Sequence, residues 1–334
     1  MSVEQAVQEN ERTIGSIHEE IKHISGTEEQ QLAMRKALLK AREQKINLMV
    51  TGGTGVGKSS TINALFNMEQ AKVGVGVDPE TMEISKYELG NLTIWDTPGL
   101  GDGKEKDLQH AKKIVEKLCQ KDEEGFALID LVLVIVDASN RDMGTTYELI
   151  NEVIIKTMQT EGKGRVLVAL NKADEANGGV RGWDMQNNLP KEATKKFLRD
   201  KERSVHDRIK EATGVDVKVV SYKAGYTDPD TGLRERPWNL AALLDYILEY
   251  TPRHKRMVLF ENTNPNADMW YDNEDLQEHR KNILDSLAAG ISDFVDDVAF
   301  FASSKVLEVL EGMEDAVDAV ASFIERIGNF FDGL

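Results

Sequence analysis

The chain has 334 residues, of which 40% are hydrophobic and 30% are charged, and its formal net charge is −17. This composition is typical of a globular protein with one large domain or a core domain and an appendage, and it disfavours a disordered chain. The acidic balance argues against a general affinity for DNA, RNA or anionic lipid, because neutralising phosphates needs clustered Lys and Arg.

Cysteine usage and the N-terminal stretch bear on the cellular compartment. The single cysteine, Cys119, cannot form an intramolecular disulfide, which suits a reducing cytosol. The stretch MSVEQAVQENERT has neither a basic flank nor an apolar run, so it does not resemble a secretory signal. No window of about 18 uninterrupted apolar residues occurs. We therefore expect a cytoplasmic protein without a transmembrane helix.

Residues 1–44 form the first predicted unit, which consists of N-terminal helices. Apolar residues recur there at intervals of three, four and seven, the spacing of one helix face; they are Val7, Ile14, Ile17, Ile21 and Ile24. A break at SGTEEQ follows, where Thr27 and Gln30 have the spacing of a capping box. The pattern predicts a second helix that runs through Arg42.

Residues 45–254 form the second predicted unit, in which short apolar strands alternate with amphipathic helices. The strand-like runs are INLMVTG, LTIWDTPG, LVLVIVDA, RVLVALNKAD and VKVVSYKAG. The helical patterns lie near residues 104–119, 143–158, 189–213 and 239–250. This alternation is typical of an α/β fold in which helices cover both faces of a parallel sheet. Ligands of such folds bind beyond the carboxyl ends of the strands.

Residues 255–334 form the third predicted unit, a polar linker followed by an amphipathic helical region. Its apolar stripe has three interpretations: packing against the N-terminal helices, binding of a partner or self-association, and contact with a membrane. From Asp293 onward the sequence has ten acidic residues and only two basic ones, Lys305 and Arg326. Membrane-surface helices usually carry Lys and Arg on their polar face, so membrane contact through this helix is disfavoured. Phe330 and Phe331 could be an exposed anchor or the last core turn. Internal packing is the favoured interpretation.

The segment VTGGTGVGKSSTINALF contains the pattern G-x4-G-K-S between a predicted strand and a predicted helix. Glycines let backbone N–H groups approach phosphate oxygens, Lys58 can reach the β- and γ-phosphates, and Ser59 offers a hydroxyl to Mg²⁺. The helix that follows adds its positive dipole end. The predicted phosphate loop comprises Gly52, Gly53, Thr54, Gly55, Val56, Gly57, Lys58, Ser59 and Ser60.

A second motif, DTPG, ends the strand-like run LTIWD. Asp96 can hold Mg²⁺ through water, and the N–H of Gly99 can meet the γ-phosphate. An aspartate at a strand end is more often a turn former or a helix cap. Its position in D-T-P-G, one strand away from a phosphate loop, favours the functional interpretation.

A third motif, NKAD, selects the base. The carboxylate of Asp174 can accept hydrogen bonds from N1–H and the exocyclic amine of guanine, whereas adenine offers an acceptor at N1. Sites built around such bonds reject the analogue that lacks them by roughly 10⁴-fold. Asn171 would brace the loop, and the stem of Lys172 would lie along the base. We therefore predict a guanine nucleotide, GTP or GDP, with Mg²⁺ as its cofactor.

The segment SYK follows the strand-like run VKVV and assists the base motif in this prediction. Ser221 and Tyr222 would place the Tyr222 backbone N–H against the O6 atom of guanine. Taken alone, this short segment is a weak signal.

In this order the four motifs resemble those of translation-factor-related P-loop GTPases, in the Era-like, septin-like and dynamin-related branch. The string GGTGVGKSSTINALF is similar to that of small bacterial Era-like GTPases and of immunity-related GTPases. The resemblance covers residues 45–251 and implies a mainly parallel six-stranded sheet, with the flanking helices forming a helical domain. It implies that Asp96 to Gly99 start switch II, and that Lys58, Asp96 and Gly99 take part in hydrolysis.

The resemblance also implies a switch I threonine that binds Mg²⁺, for which Thr81 is the best candidate. The alternative for Thr81 is an ordinary loop residue. Leu100 stands where many relatives carry a water-orienting glutamine, and Gly55 replaces a potassium-binding asparagine of some relatives. Unassisted hydrolysis should then be slow, at on the order of 10⁻⁴ s⁻¹ for small GTPases. Arg141 could supply charge in trans, or it is a solvated loop arginine.

Two functional classes remain open at this point. In the first, the chain is a GTP hydrolase switch that is activated when two nucleotide domains pair as a homodimer and act on an effector protein. In the second, nucleotide is mainly a structural or oligomerisation signal, also at a membrane, and hydrolysis is incidental. An Era-like role in ribosome assembly is disfavoured, because the chain has no basic stripe and no K-homology-type GxxG segment, and we expect no direct binding of nucleic acid.

Overall fold

The structure is a computed structural model that describes residues 28–68, 72–73, 84–101, 103–158, 164–226 and 235–294. The strands are β1 (Ile46–Gly52), β2 (Lys72–Val73), β3 (Ser85–Leu89), β4 (Leu92–Asp96), β5 (Leu131–Asp137), β6 (Val166–Asn171), β7 (Trp183–Asp184), β8 (Leu189–Pro190) and β9 (Lys218–Ser221). The α-helices are α1 (Glu28–Glu43), α2 (Lys58–Leu65), α3 (Lys104–Leu118), α4 (Gly144–Glu148), α5 (Glu192–Thr213), α6 (Leu240–Tyr250), α7 (Arg256–Glu261) and α8 (Leu276–Ser292).

Shorter helical turns complete the path. Helix α4 continues as a π-helical segment over Leu149–Ile155, and 3₁₀ turns cover Gly179–Gly182, Arg253–Lys255 and Ala267–Met269. The four helical patterns predicted between residues 104 and 250 are confirmed as α3, as α4 with its π-helical continuation, as α5 and as α6. The helix predicted to run through Arg42 is confirmed as α1, whereas the helix predicted from the spacing of Val7 to Ile24 lies outside the described residues.

The central sheet has the strand order β2-β3-β4-β1-β5-β6-β9. Strands β4, β1, β5, β6 and β9 are parallel, while β2 and β3 pair antiparallel at one edge. The mainly parallel α/β fold is thus confirmed, but the described part of the sheet has seven strands rather than the six predicted. The additional edge strand, β2, is only two residues long, which is too short to leave an alternating pattern in the sequence.

Two hydrophobic clusters cover the two faces of the sheet, because successive side chains of a strand point to opposite faces. On β5, Leu131, Leu133 and Ile135 belong to the first cluster, and Val132, Val134 and Val136 belong to the second. Helices α1, α2, α6, α7 and α8 contribute to the first cluster. Helix α3, the π-helical segment and α5 contribute to the second. The sheet is therefore buried on both faces, as its apolar strands predict.

Helix α8 packs against α6, α7 and α1. Its buried residues Ile283, Leu287 and Ile291 join the first cluster together with Ala37 and Ala41 of α1. For residues 276–292 this is the predicted internal packing. The rest of the C-terminal stripe, including Phe330 and Phe331, lies outside the described residues. Among the helices that the structure describes, none is both long and apolar enough to cross a membrane.

Candidate functional site

The candidate site lies beyond the carboxyl ends of the parallel strands. Strand β1 leads into the phosphate loop, β4 ends at Asp96, and β6 ends at Asn171. Strands β1 and β4 pair in parallel with Val50 opposite Asp96. The shared direction of these strands brings three motifs that are distant in sequence to one edge of the sheet.

The phosphate loop depends on glycine at two positions where the chain makes a close approach. Gly57 has φ 92° and precedes α2, and a Cβ atom there would lie 2.3 Å from Nδ2 of Asn171. Gly52 has φ 148°, and a Cβ atom there would lie 2.1 Å from the carbonyl oxygen of Ile135. Side chains at either position would therefore push the loop away from β5 or from the base motif.

Lys58 begins helix α2, and its ammonium group folds back over the loop. Its Nζ donates to the carbonyl oxygen of Gly53 at 3.0 Å and lies 3.4 Å from that of Gly52. The first N–H groups of a helix have no intrahelical partner, so the start of α2 offers donors to an anion. Ser59 is exposed in the same turn. This cradle of donors fits a polyphosphate chain.

Asp96 carries an unpaired oxygen at the end of β4. Its Oδ1 atom is buried and has no hydrogen-bond partner among the described residues. Burial raises the pKa of Asp96 to about 6, and the nearby charge of Lys58 opposes that rise. A buried carboxylate oxygen without a partner is costly. A divalent cation such as Mg²⁺, which prefers oxygen ligands, fits this donor.

The segment after Asp96 is tied to the phosphate loop by backbone hydrogen bonds. The Thr54 N–H donates to the Leu100 carbonyl at 2.8 Å, and the Leu100 N–H donates to the Gly52 carbonyl at 3.2 Å. The Leu100 side chain is only 7% exposed and packs in the second hydrophobic cluster. Leu100 is thus a core residue that points away from solvent, which explains why an apolar residue is tolerated there.

Asn171 joins the phosphate loop to the segment after β9. Its Nδ2 donates to the Val56 carbonyl at 2.9 Å, and its Oδ1 accepts from the Ala224 N–H at 3.0 Å. The side chain is buried, and both of its polar atoms are satisfied within the protein. The brace expected of Asn171 therefore exists in the geometry of this structure.

Lys172 follows in a left-handed conformation with φ 60°. Its Nζ lies 3.0 Å from Oδ2 of Asp137, the last residue of β5. Burial of Asp137 disfavours its charge, but hydrogen bonds from Ser139 and Lys172 outweigh this effect and hold the pKa of Asp137 below its usual range. Asp137 therefore fixes the end of the Lys172 side chain.

Asp174 lies on the same loop and pairs with a buried lysine. Its Oδ2 is 3.3 Å from Nζ of Lys223, which also lies 3.1 Å from a carboxylate oxygen of Glu235. Lys223 is only 5% exposed. Lys223 therefore joins the loop of Asp174 to the segment that contains Glu235.

The role predicted for Tyr222 is wrong in its backbone contact. The Tyr222 N–H donates to the Leu170 carbonyl at 2.9 Å, so it extends the β6–β9 ladder instead of pointing to a ligand. The Lys223 and Ala224 N–H groups are also engaged, with the Trp238 carbonyl and Oδ1 of Asn171. The strand pairing continues one residue further than the sequence pattern indicated, and this consumes the amide.

The Tyr222 side chain has a structural contact that the sequence did not predict. Its hydroxyl lies 2.6 Å from Oγ1 of Thr61, which donates to the Gly57 carbonyl at 2.8 Å. Burial raises the pKa of the Tyr222 phenol far above its usual range. Ser221 donates its backbone N–H to Glu202 of helix α5 at 2.7 Å. Tyr222 therefore contacts the helix that follows the phosphate loop, and Ser221 contacts helix α5.

Two predicted residues are not part of the arrangement described above. Thr81 lies outside the described residues. Arg141 is exposed on the loop that follows β5. Three residues that contact site residues were not predicted from the sequence: His110, Asp137 and Lys223. Asp137 ends the apolar run LVLVIVD, so its place at a strand end was a signal. His110 has no signal beyond its place in an amphipathic helix.

Comparisons with known proteins agree with this geometry. Residues 47–172 match the family model described as 50S ribosome-binding GTPase. Interferon-gamma-inducible GTPase 10 of Mus musculus is 34% identical over 112 residues, which cover 32% of this chain and 24% of that protein. The uncharacterized protein YfjP of Escherichia coli K12 is 26% identical over 147 residues, which cover 42% of this chain and 47% of that protein. The chain thus spans a quarter to a half of these relatives.

Among solved structures, Toc33 from Arabidopsis thaliana in complex with Mg²⁺ and GMPPNP has 17% identity and a TM-score of 0.39, over 70% of this chain and 90% of that chain. Residues 47–172 therefore match a GTPase family model within a mainly parallel α/β fold, and part of the chain is similar in sequence to interferon-inducible GTPases.

Proposed function

We propose that the protein binds GTP with Mg²⁺ and hydrolyses it to GDP and phosphate as a molecular switch. The observation that carries this proposal is the double hydrogen bond of Asn171, which joins the phosphate loop to the base side of the site. A phosphate-binding loop and a base-selecting carboxylate then act on one ligand rather than on two.

In this proposal the phosphate loop holds the triphosphate through its backbone N–H groups. Lys58 exchanges its present bonds to the Gly52 and Gly53 carbonyls for the β- and γ-phosphate oxygens. Ser59 and Asp96, with Thr81, would hold Mg²⁺, which neutralises phosphate charge when it is bound. Gly99 donates its N–H to the γ-phosphate.

The base side of the site selects guanine in this proposal. Asp174 accepts from N1–H and the exocyclic amine, and Lys223 holds its carboxylate in place. The aliphatic stem of Lys172 lies along the base while its ammonium stays on Asp137. Ser221 and Tyr222 assist by positioning the segment after β9, rather than by an amide contact to guanine O6.

Hydrolysis requires a group that orients the attacking water, and the buried Leu100 cannot supply it. We infer a slow unassisted rate that rises when two nucleotide domains pair as a homodimer, with Arg141 as a candidate for charge donated in trans. We place the nucleotide domain at residues 45–254, between the N-terminal helices of residues 1–44 and the C-terminal region of residues 255–334. The flanking helices would pass the nucleotide state to an effector protein in the cytoplasm.

The burial of Leu100 also favours a second function, in which nucleotide is an oligomerisation signal and hydrolysis is incidental. A titration of GTP turnover against protein concentration, with and without liposomes, separates the two. Turnover per molecule that rises with concentration supports the self-activated hydrolase. A flat profile near zero supports the second function, and a steep rise only on liposomes supports a membrane-associated form of it. Lys58→Ala is the inactive control.

A further inference from the structure

We propose that His110 is a positioning residue that couples the γ-phosphate contact of Gly99 to helix α3 and so sets the preference for GTP over GDP. This inference rests on the proposed function, because it concerns the same nucleotide site. It starts from a buried histidine that lies on α3 and contacts the backbone of the segment after Asp96.

The contact of His110 defines its tautomer. Its Nδ1 lies 3.0 Å from the carbonyl oxygen of Gly99. A carbonyl oxygen only accepts, so Nδ1 carries the proton and donates it. His110 is 3% exposed, and its Nε2 has no hydrogen-bond partner among the described residues. A buried ring with one satisfied and one unsatisfied nitrogen needs an explanation beyond packing.

The peptide that joins Gly99 and Leu100 is held at both of its polar atoms. His110 fixes the carbonyl oxygen, and the Gly52 carbonyl fixes the N–H at 3.2 Å. Because the peptide unit is planar, its orientation is then determined. The Gly99 N–H, which faces the γ-phosphate in the proposed site, belongs to the preceding peptide and is linked to this fixed unit only through the φ and ψ rotations of Gly99.

Gly99 also lies directly against the phosphate loop. A Cβ atom at Gly99 would come within 2.5 Å of Oγ1 and 2.7 Å of the backbone nitrogen of Thr54. With the loop on one side and His110 on the other, Gly99 cannot shift without moving one of them. A γ-phosphate that draws the Gly99 N–H toward itself therefore acts on His110.

Helix α3 holds this segment through a second side chain. Oδ1 of Asp107 accepts from the Gly101 N–H at 2.8 Å. Residues 107 and 110 are three apart, so they share one face of α3. The helix therefore contacts both ends of residues 99–101 and follows their displacement. GDP lacks the phosphate that contacts Gly99, so the effect is specific to the triphosphate.

The test compares the affinities of the full chain for GMPPNP and GDP, each with Mg²⁺, by isothermal titration calorimetry. Loss of one positioning hydrogen bond in His110→Ala should weaken GMPPNP binding by about tenfold while GDP binding stays unchanged. His110→Asn keeps a donor close to the Nδ1 position and should restore most of the difference. Gln109→Ala, an exposed neighbour on α3, is the matched control and should bind both nucleotides like the unmodified chain.

The outcomes separate this inference from the proposed function. Equal weakening of both nucleotides in His110→Ala, no weakening at all, or an asparagine variant as weak as the alanine variant would overturn the role of His110. If the unmodified chain binds neither nucleotide, the proposed function itself fails. His110→Leu, which fills the buried volume but offers no donor, carries the same comparison if the alanine variant does not fold.

Discussion

The Nδ2 atom of Asn171 lies 2.9 Å from the carbonyl oxygen of Val56, across 115 residues of sequence. The approach is possible only because residue 57 is glycine, since a Cβ atom there would occupy the space of the amide. One side chain therefore fixes the distance between the loop proposed to hold phosphates and the loop proposed to hold the base.

Asn171→Ala should lower both stability and nucleotide affinity. The substitution leaves the Val56 carbonyl and the Ala224 N–H without their partner, and unsatisfied buried groups of this kind together cost about 3 kcal/mol. Urea unfolding measures the loss, and calorimetry with GDP measures the affinity. Gln186→Ala, a change at an exposed side chain, should alter neither. A variant as stable as the original chain would show that the brace is unimportant.

Leu100→Gln should not create a faster GTPase. The side chain at this position packs in the second hydrophobic cluster, so a glutamine there buries an amide without orienting water. We expect a destabilisation of about 2 kcal/mol and no rise in turnover. Leu108→Gln, at a position 73% exposed on α3, is the matched control and should leave stability unchanged. Increased turnover in Leu100→Gln would contradict the burial of this position.

Asp96→Asn should stabilise the nucleotide-free protein at pH 8. The pKa of Asp96 is raised to about 6, chiefly by burial, so the unmodified fold loses stability as the pH rises from about 4 through about 6. Asparagine carries no charge and escapes this loss. The gain at pH 8 should be about 3 kcal/mol and should vanish near pH 4. Thermal unfolding at both pH values measures it.

The Asp96 carboxylate should also make the effect of Mg²⁺ on GTP affinity depend on pH. Only ionised Asp96 can serve the cation, so the gain in GTP affinity that Mg²⁺ provides should decline as the pH falls below about 6. Asp96→Asn should lose that gain at every pH. Titrations with Mg²⁺ and with EDTA at pH 5 and pH 8 measure it. An Mg²⁺ effect that is independent of pH would contradict the role proposed for Asp96.

Tyr222→Phe should reduce stability without altering base preference. The phenol hydroxyl donates to Thr61, and removal of one such bond costs about 1 kcal/mol. The backbone N–H of Tyr222 already bonds Leu170, so the guanine edge is unaffected. Tyr226→Phe, at a position 57% exposed, is the control. A changed ratio of GDP to ADP affinity in Tyr222→Phe would show that this residue reads the base.

Much of the fold could be predicted from the sequence, because its signals are local. Short apolar runs rich in Val, Leu and Ile, such as LVLVIVD, favour strands buried on both faces, and the amphipathic periods indicate helices α3, α5 and α6. The two-residue strand β2 left no such signal. The position of α8 against α1 could be predicted only as one of three alternatives, because an apolar stripe in a sequence does not indicate which surface it packs against.

The candidate site was predictable where chemistry requires a residue type at a fixed place on the chain. Gly57, Lys58 and Asp96 follow from the spacing of the motifs. His110 and Lys223 could not be found in this way, because each contacts a loop elsewhere in the chain. His110 contacts Gly99, and Lys223 contacts Asp174. The amide of Tyr222 was misassigned because ladder pairing beyond the end of a strand depends on tertiary register.

The central claim is that one pocket holds a guanine nucleotide, and a comparison of GDP with ADP tests it most directly. Calorimetry on the full chain with Mg²⁺ gives both dissociation constants under the same conditions. We predict that GDP binds on the order of 10⁴-fold more tightly than ADP. The Asp174 carboxylate can accept a hydrogen bond from N1–H of guanine, whereas N1 of adenine is itself an acceptor. Equal affinities, or no binding of either nucleotide, would contradict the account.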